Sequence, residues 1–333
     1  MGLRKNVAIA LMMMMLVASL LTGCQPKAGE DSAGQNAESS AIIIAKVNDE
    51  VVTKESYDNN FALMENAYNS MFGENIWTQE IGGRPVKEIV QEELLENMIR
   101  EKLVIEYVLA SGYEAPEAEM QEAYDNFLEV LETDEETKAF YDEKNFEDSF
   151  IRSQIESQFY AEEFTNMIKA EIEKDEDVLV ALYETEKVLV SASHILVNDD
   201  AILAIVQEKL NAGGDFAELA TEYSQDPGSA SNGGSLGYFP RGKMVPEFEE
   251  VAFGLEVGGI SEPVQSQFGF HIIKVDDVQT IRDLEATGAS EEEIALHKKS
   301  IVESLSQTAY TDKIQELMDA ATVERFLENI KED

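Results

Sequence analysis

The sequence predicts an α+β protein in which a compact mixed insert interrupts a mostly helical chain. Three observations predict it. Apolar residues recur at three- and four-residue steps over most of residues 53–172, the spacing of a buried helix face. Near Lys187 the character changes. Val188–Val197 reads as a strand, and beyond it glycines gather between Gly213 and Gly269 while short strands alternate with short helices. Helical spacing then returns through Ile294, Ile301, Leu305, Ile314 and Leu317. No repeat of about 20–50 residues is visible, so a solenoid is excluded. The two helical arms, 42–187 and 279–333, are expected to pack as one discontinuous domain around the insert at 188–278.

Each element has a local reason. Arg4 and Lys5 precede an apolar run of about 15 residues, Val7–Leu21, the length of a signal peptide and short for a membrane span. Leu21-Thr22-Gly23-Cys24 resembles the lipobox of bacterial lipoproteins, which implies cleavage after residue 23 and a lipidated Cys24. Two or more acyl chains would anchor the protein stably. Residues 25–41 are small, polar and aperiodic, as in a flexible tether. Ile42–Val52 reads as two short strands about an Asn48-Asp49 turn. Thr53 with Ser56 opens a helix through Met71, and Gly73–Pro85 reads as a loop. Val86–Leu109 carries an apolar face too broad for a surface helix, and Gly112 closes it. Pro116 starts another helix, and Phe146–Ile172 forms a third long one. Val323–Leu327 is a short final strand or helix. The acidic runs Asp134-Glu135-Glu136 and Asp175-Glu176-Asp177 read as solvated helix ends, and His297 as part of an exposed helix.

Composition bounds the function. The 333 residues hold 25 Lys and Arg against 67 Asp and Glu, a formal charge of −42. That excludes nucleic acid as a partner, because its binding needs a basic surface. At 44% hydrophobic residues the chain has enough apolar material for packed cores. A single cysteine excludes an intrachain disulfide and a multi-cysteine zinc site. Neither a nucleophile elbow nor a phosphate loop is present, and no cofactor or metal is expected.

The insert carries an ordered set of short motifs: His194-Ile195-Leu196, Gly233-Gly234-Ser235-Leu236-Gly237, Gly242-Lys243-Met244, Phe248, Gly269 and His271-Ile272-Ile273. Together they closely resemble the parvulin family of peptidyl-prolyl cis–trans isomerases over residues 188–278. With the lipobox and the helical flanks, the chain resembles PrsA-type foldase lipoproteins and, more distantly, SurA chaperones. The resemblance implies a small antiparallel sheet with surrounding helices. It implies a proline pocket of Leu236, Met244, Phe248 and Phe268. It also implies catalytic positions at His194, His271, Asp226 and Ser266, where Ser266 stands in place of the family's usual threonine. The alternative for Asp226, before Pro227, is an Asx turn, and for each histidine in its apolar strand a satisfied core residue.

The chemistry implied is rotation of an X–Pro amide over a barrier of ~18–20 kcal/mol. It needs neither nucleophile nor metal, only a site that favours the twisted amide over the planar one. Asn198-Asp199-Asp200, where phosphate-directed parvulins are basic, implies no preference for phosphorylated peptides. The partners implied are unfolded or newly exported polypeptides with X–Pro bonds, the membrane through the N-terminal lipid, and a second copy in a homodimer. The expected function is a membrane-anchored foldase acting after translocation. The alternative is a non-catalytic chaperone that holds unfolded clients in its helical arms. A solute-binding lipoprotein fits the length but not the helical run 53–187.

Overall fold

The computed structural model describes residues 41–330. The expected signal peptide, Cys24 and all of the tether before residue 41 lie outside the described residues. By contact the chain divides into two compact units, one running to Ile168 and resuming at Thr308, the other spanning Lys169–Gln307.

In the first unit, β1 (Ile43–Val47) and β2 (Glu50–Thr53) pair antiparallel. Asn48 turns between them at φ 51°, a conformation asparagine tolerates better than most residues. Thr53 then caps α1 (Lys54–Phe72), its side chain accepting the Ser56 N–H at 3.2 Å. The segment expected as a loop contains a short hairpin, β3 (Glu80–Ile81) with β4 (Arg84–Pro85). Gly82 and Gly83 form its turn at φ 61° and 80°, the two positive angles of a tight hairpin turn. Next comes α2 (Val86–Ala110), which buries Val90, Leu94, Leu95, Ile99 and Leu103 in the middle of the unit. It is followed by α3 (Glu117–Thr133), α4 (Glu135–Lys144) and α5 (Asp148–Lys174). The division between units falls within α5.

The second unit takes in the end of α5 from Lys169 and then α6 (Glu176–Thr185). Then come β5 (Leu189–Val197), α7 (Asp200–Asn211), α8 (Phe216–Tyr223) and β6 (Ser235–Phe239). They are followed by α9 (Pro246–Gly254), β7 (Val264–Ser266) and β8 (Gly269–Gln279). The four strands form an antiparallel sheet in the order β6-β5-β8-β7. Strand parity sorts the side chains. Val190 and Ala192 of β5 and Ile273 and Val275 of β8 face Phe248 and Phe253 of α9. Ile195, Val197 and Ile272 face Leu203, Val206, Phe216 and Leu219 of α7 and α8. Residues i and i+2 share a face, so His194 and His271 fall on the α9 side.

This unit is wider than the 188–278 insert read from the sequence. After β8 come α10 (Ile281–Thr287) and α11 (Glu291–Ala320), and the division falls within α11. Val188, Ile281, Leu284 and Ile301 form one buried cluster with Leu182, Tyr183 and Leu305. The apolar spacing of α6 and early α11 is satisfied there, on the mixed unit. His297 is therefore not on an exposed helix: it is 8% exposed, beside Lys187, Arg241 and Ile301 around a cavity of about 130 Å³.

The final segment, β9 (Val323–Arg325), returns to the first unit and pairs antiparallel with β1, Lys46 opposite Glu324. Leu317, Met318 and Val323 pack on the core around Leu94 and Ile99. Segments on either side of the second unit thus share a sheet and a core.

Candidate active site

The site is built on the central strand pair. In the β5–β8 register His194 stands opposite Ile273, and Leu196 opposite His271. The two histidines are therefore diagonal neighbours on one face, within reach of each other. Their rings lie 5.4 Å apart and nearly parallel, with Nδ1 to Nδ1 at 3.2 Å. Phe248 of α9 closes against both, its ring edge-on to His194 at 5.7 Å and to His271 at 5.4 Å. Both imidazoles are buried.

The loop after α8 brings in Asp226. Gln225 N–H donates to the Leu196 carbonyl at 2.7 Å, and the Ser224 hydroxyl accepts from Leu196 N–H at 3.1 Å. The far end of the loop is tied where His194 N–H donates to the Gly234 carbonyl at 2.9 Å. Gly234 adopts φ 81°, and a Cβ there would run into the His194 carbonyl oxygen. Only glycine allows this close approach. Between these ties Asp226 turns its carboxylate to His194, Oδ2 lying 2.9 Å from Nε2. Its Oδ1 accepts the Gly228 N–H at 3.2 Å, so the Asx turn and the contact with His194 coexist.

On the other side, the β7–β8 turn places Ser266 Oγ 2.7 Å from His271 Nε2, while that oxygen accepts the Phe268 N–H at 3.0 Å. The four polar residues expected at the site form one row: Asp226, His194, His271, Ser266.

Hydrogen-bond chemistry constrains the protons along this row. Burial works against a charge on Asp226, but hydrogen bonds from Ser229, His194 and Gly228 outweigh it and hold the carboxyl down at about 2. An ionised carboxylate only accepts, so His194 Nε2 carries a proton. With His194 in its neutral form, Nδ1 accepts and His271 donates from its own Nδ1. That leaves His271 Nε2 bare, to accept from the Ser266 hydroxyl. His271 stays neutral because burial, followed by repulsion from His194 whenever that ring is protonated, lowers its pKa to about 4 against the opposite pull of Asp226 and Glu247. Donors thus point one way, from Ser266 to Asp226.

The apolar residues divide. Phe248 is buried, and Leu236 and Met244 are half-buried against the same cluster with Phe239 and Phe253. Phe268 stands apart at the β7–β8 turn and is 55% exposed. One member of the site was missed. Ser229 is 1% exposed, donates its hydroxyl to Asp226 Oδ2, and lies 3.1 Å from His194 Nε2. Its signal was present in Asp226-Pro227-Gly228-Ser229, where an Asx turn brings the residue three places on back toward the carboxylate. Nothing in the sequence set it apart from Ser224, Ser231 or Ser235.

Residues 198–277 match the rotamase family, described as the PPIC-type PPIASE domain, and residues 2–173 match the SurA-like N-terminal domain. The foldase protein PrsA of Caldanaerobacter subterraneus is 29% identical over 334 residues, 99% of each chain. That of Oceanobacillus iheyensis is 36% identical over 260 residues, 75% of this chain and 83% of the relative. Foldase protein PrsA 1 of Bacillus cereus is 54% identical over 98 residues, 29% of this chain and 34% of the relative. Likeness of this extent, over the same residues that build the sheet and the polar row, is family membership: the chain belongs to the PrsA foldases and carries a PPIC-type peptidyl-prolyl isomerase domain.

Proposed function

We propose that the protein is a membrane-anchored peptidyl-prolyl isomerase that assists the folding of exported polypeptides after translocation. Residues 1–23 direct export, Cys24 carries the lipid, and 24–41 tether the rest to the outer face of a Gram-positive cell membrane. Residues 188–278 catalyse, and the helical residues 42–187 and 279–333 hold clients. The observation that carries the catalytic reading is the continuous row Asp226–His194–His271–Ser266 lying beside Leu236, Met244 and Phe248. The signal-like leader and the lipobox carry the anchoring. Among the described residues no helix is long and apolar enough to cross a membrane.

In this mechanism the proline ring of the client seats against Leu236, Met244 and Phe248, with Phe268 folding over from the rim. Methionine and aromatic surfaces grip such a ring without demanding one shape. The Asp226 side chain, 22% exposed, faces the reacting amide. A planar amide carries partial negative charge on its carbonyl oxygen, and the twisted amide loses it with its resonance. A fixed carboxylate therefore disfavours the planar state more than the twisted one, which lowers the barrier. The histidine row holds that carboxylate in place.

Refolding of a secreted protein whose slow phase is proline isomerisation tests the proposal. The mature chain shortens that phase at substoichiometric amounts, and a chain lacking 188–278 does not. A slow phase untouched by the mature chain would leave the holding reading in its place. Cell fractionation tests the anchor: Cys24→Ser moves the protein from membrane to medium, and a variant still in the membrane fraction contradicts lipid attachment.

A further inference from the structure

We propose that Ser229 is a positioning residue of the isomerase site: its buried hydroxyl clamps the Asp226 carboxylate against His194 and so fixes which ring nitrogen of His194 carries the proton. This rests on the reading of the Asp226–His194–His271–Ser266 row as the catalytic site.

Asp226 Oδ2 is held from two sides, by the Ser229 hydroxyl and by His194 Nε2. Its Oδ1 has the Gly228 N–H. Removing the Ser229 hydroxyl takes away one of these three donors, at a point with little room for solvent. The position is 1% exposed, and the space left by one hydroxyl is smaller than a water needs. The carboxylate is then free to turn about its side-chain torsion. It also binds a proton more readily, since a bond that favoured its charged form is gone. In either case His194 Nε2 loses a fixed acceptor.

The consequence runs along the row. With no fixed acceptor at Nε2, the His194 proton can shift to Nδ1. There it would meet the proton on His271 Nδ1 across 3.2 Å. Both cannot stay, so His271 must change tautomer as well, and Ser266 must turn its hydroxyl away from Nε2. One buried hydroxyl thus keeps the whole row in a single arrangement. The loop itself does not depend on it. Ala230 N–H donates to the Asp226 carbonyl at 3.0 Å, and Gly234 and Asn232 N–H donate to the Ser229 carbonyl at 2.9 and 2.8 Å. These are backbone bonds that alanine keeps.

The test uses the full mature chain labelled with ring-¹⁵N histidine. The protein has three histidines, so three rings are read. In the wild type, His194 shows one protonated and one bare nitrogen. In Ser229→Ala its two resonances move toward each other at neutral pH, kcat/KM falls roughly tenfold with little change in KM, and amide resonances outside the loop stay put. Ser229→Gly gives the same readings by a second route. Unchanged His194 resonances overturn the proposal, whether the rate holds or falls, because a merely structural serine would lower the rate without moving them. Asp226→Ala separates the two layers. If it is slow while Ser229→Ala matches the wild type, the positioning proposal alone fails. An Asp226→Ala variant at wild-type rate removes the site reading and the proposal with it.

Discussion

His271 shows what a single buried ring does to the whole protein. Its pKa is lowered to about 4, first by burial and then by repulsion from His194 whenever that ring is protonated. In the unfolded chain a histidine takes up its proton near 6.5. Between these two pH values the unfolded state binds more protons than the folded one. Stability from this group is therefore complete above about pH 6.5 and is lost as the pH falls toward 4, by on the order of 3 kcal/mol. Asp226, held at about 2, gives way only at lower pH, below the ordinary carboxylate range. Urea midpoints measured from pH 7 to 4.5 should fall, and less steeply in His271→Phe. The His271 ring resonances should titrate near pH 4, and a midpoint near 6.5 would contradict the buried neutral ring. At this scale the sequence was informative where the ordered motifs named residues. His194 and His271 each interrupt an apolar strand and were named by the resemblance; that they share a face comes from the β5–β8 register. Ser229 was not legible, because its role comes from burial and from the path of a loop.

Helix ends show the same contrast among elements. The two acidic runs read as helix ends are N-caps: Asp134 accepts the Glu136 and Thr137 N–H groups, and Asp175 accepts the Val178 N–H. Asp199 does the same for α7, accepting from Ala201 and Ile202. Each carboxylate satisfies otherwise unpaired donors and faces the positive end of the helix dipole. Asp175→Ala should cost about 1 kcal/mol, read as a lower urea midpoint, with Asp175→Asn close to wild type. An unchanged midpoint in Asp175→Ala would show the cap to be idle. Apolar spacing located α1, α2 and α5 because each is long and buries a defined face. It did not resolve the hairpin of β3 and β4, since strands of two residues have no periodicity to read. It also merged α4 and α6 into the general helical run. Only their capping aspartates marked them, and an acidic residue in an acidic chain is a weak signal.

For the molecule as a whole, the discontinuous plan was legible because a helical pattern stops at Lys187 and resumes after Val278, and β9 pairing with β1 closes the first unit. The edges were not legible. Whether α6 or the first half of α11 turns its apolar face to one unit or the other depends on three-dimensional packing, and the cluster of Val188, Ile281, Leu284 and Ile301 took both into the mixed unit. That packing also buried His297, which a helical pattern rich in lysine had placed outside. The central claim is that the polar row and the apolar residues beside it accelerate rotation about X–Pro bonds. The most direct measurement is cis–trans exchange in a short unphosphorylated proline peptide, followed by NMR with micromolar mature protein. The account predicts exchange well above the uncatalysed rate, which takes tens of seconds or longer at 25 °C, and its loss by about tenfold or more in Asp226→Ala. Exchange at the uncatalysed rate in the presence of folded wild-type protein would contradict it.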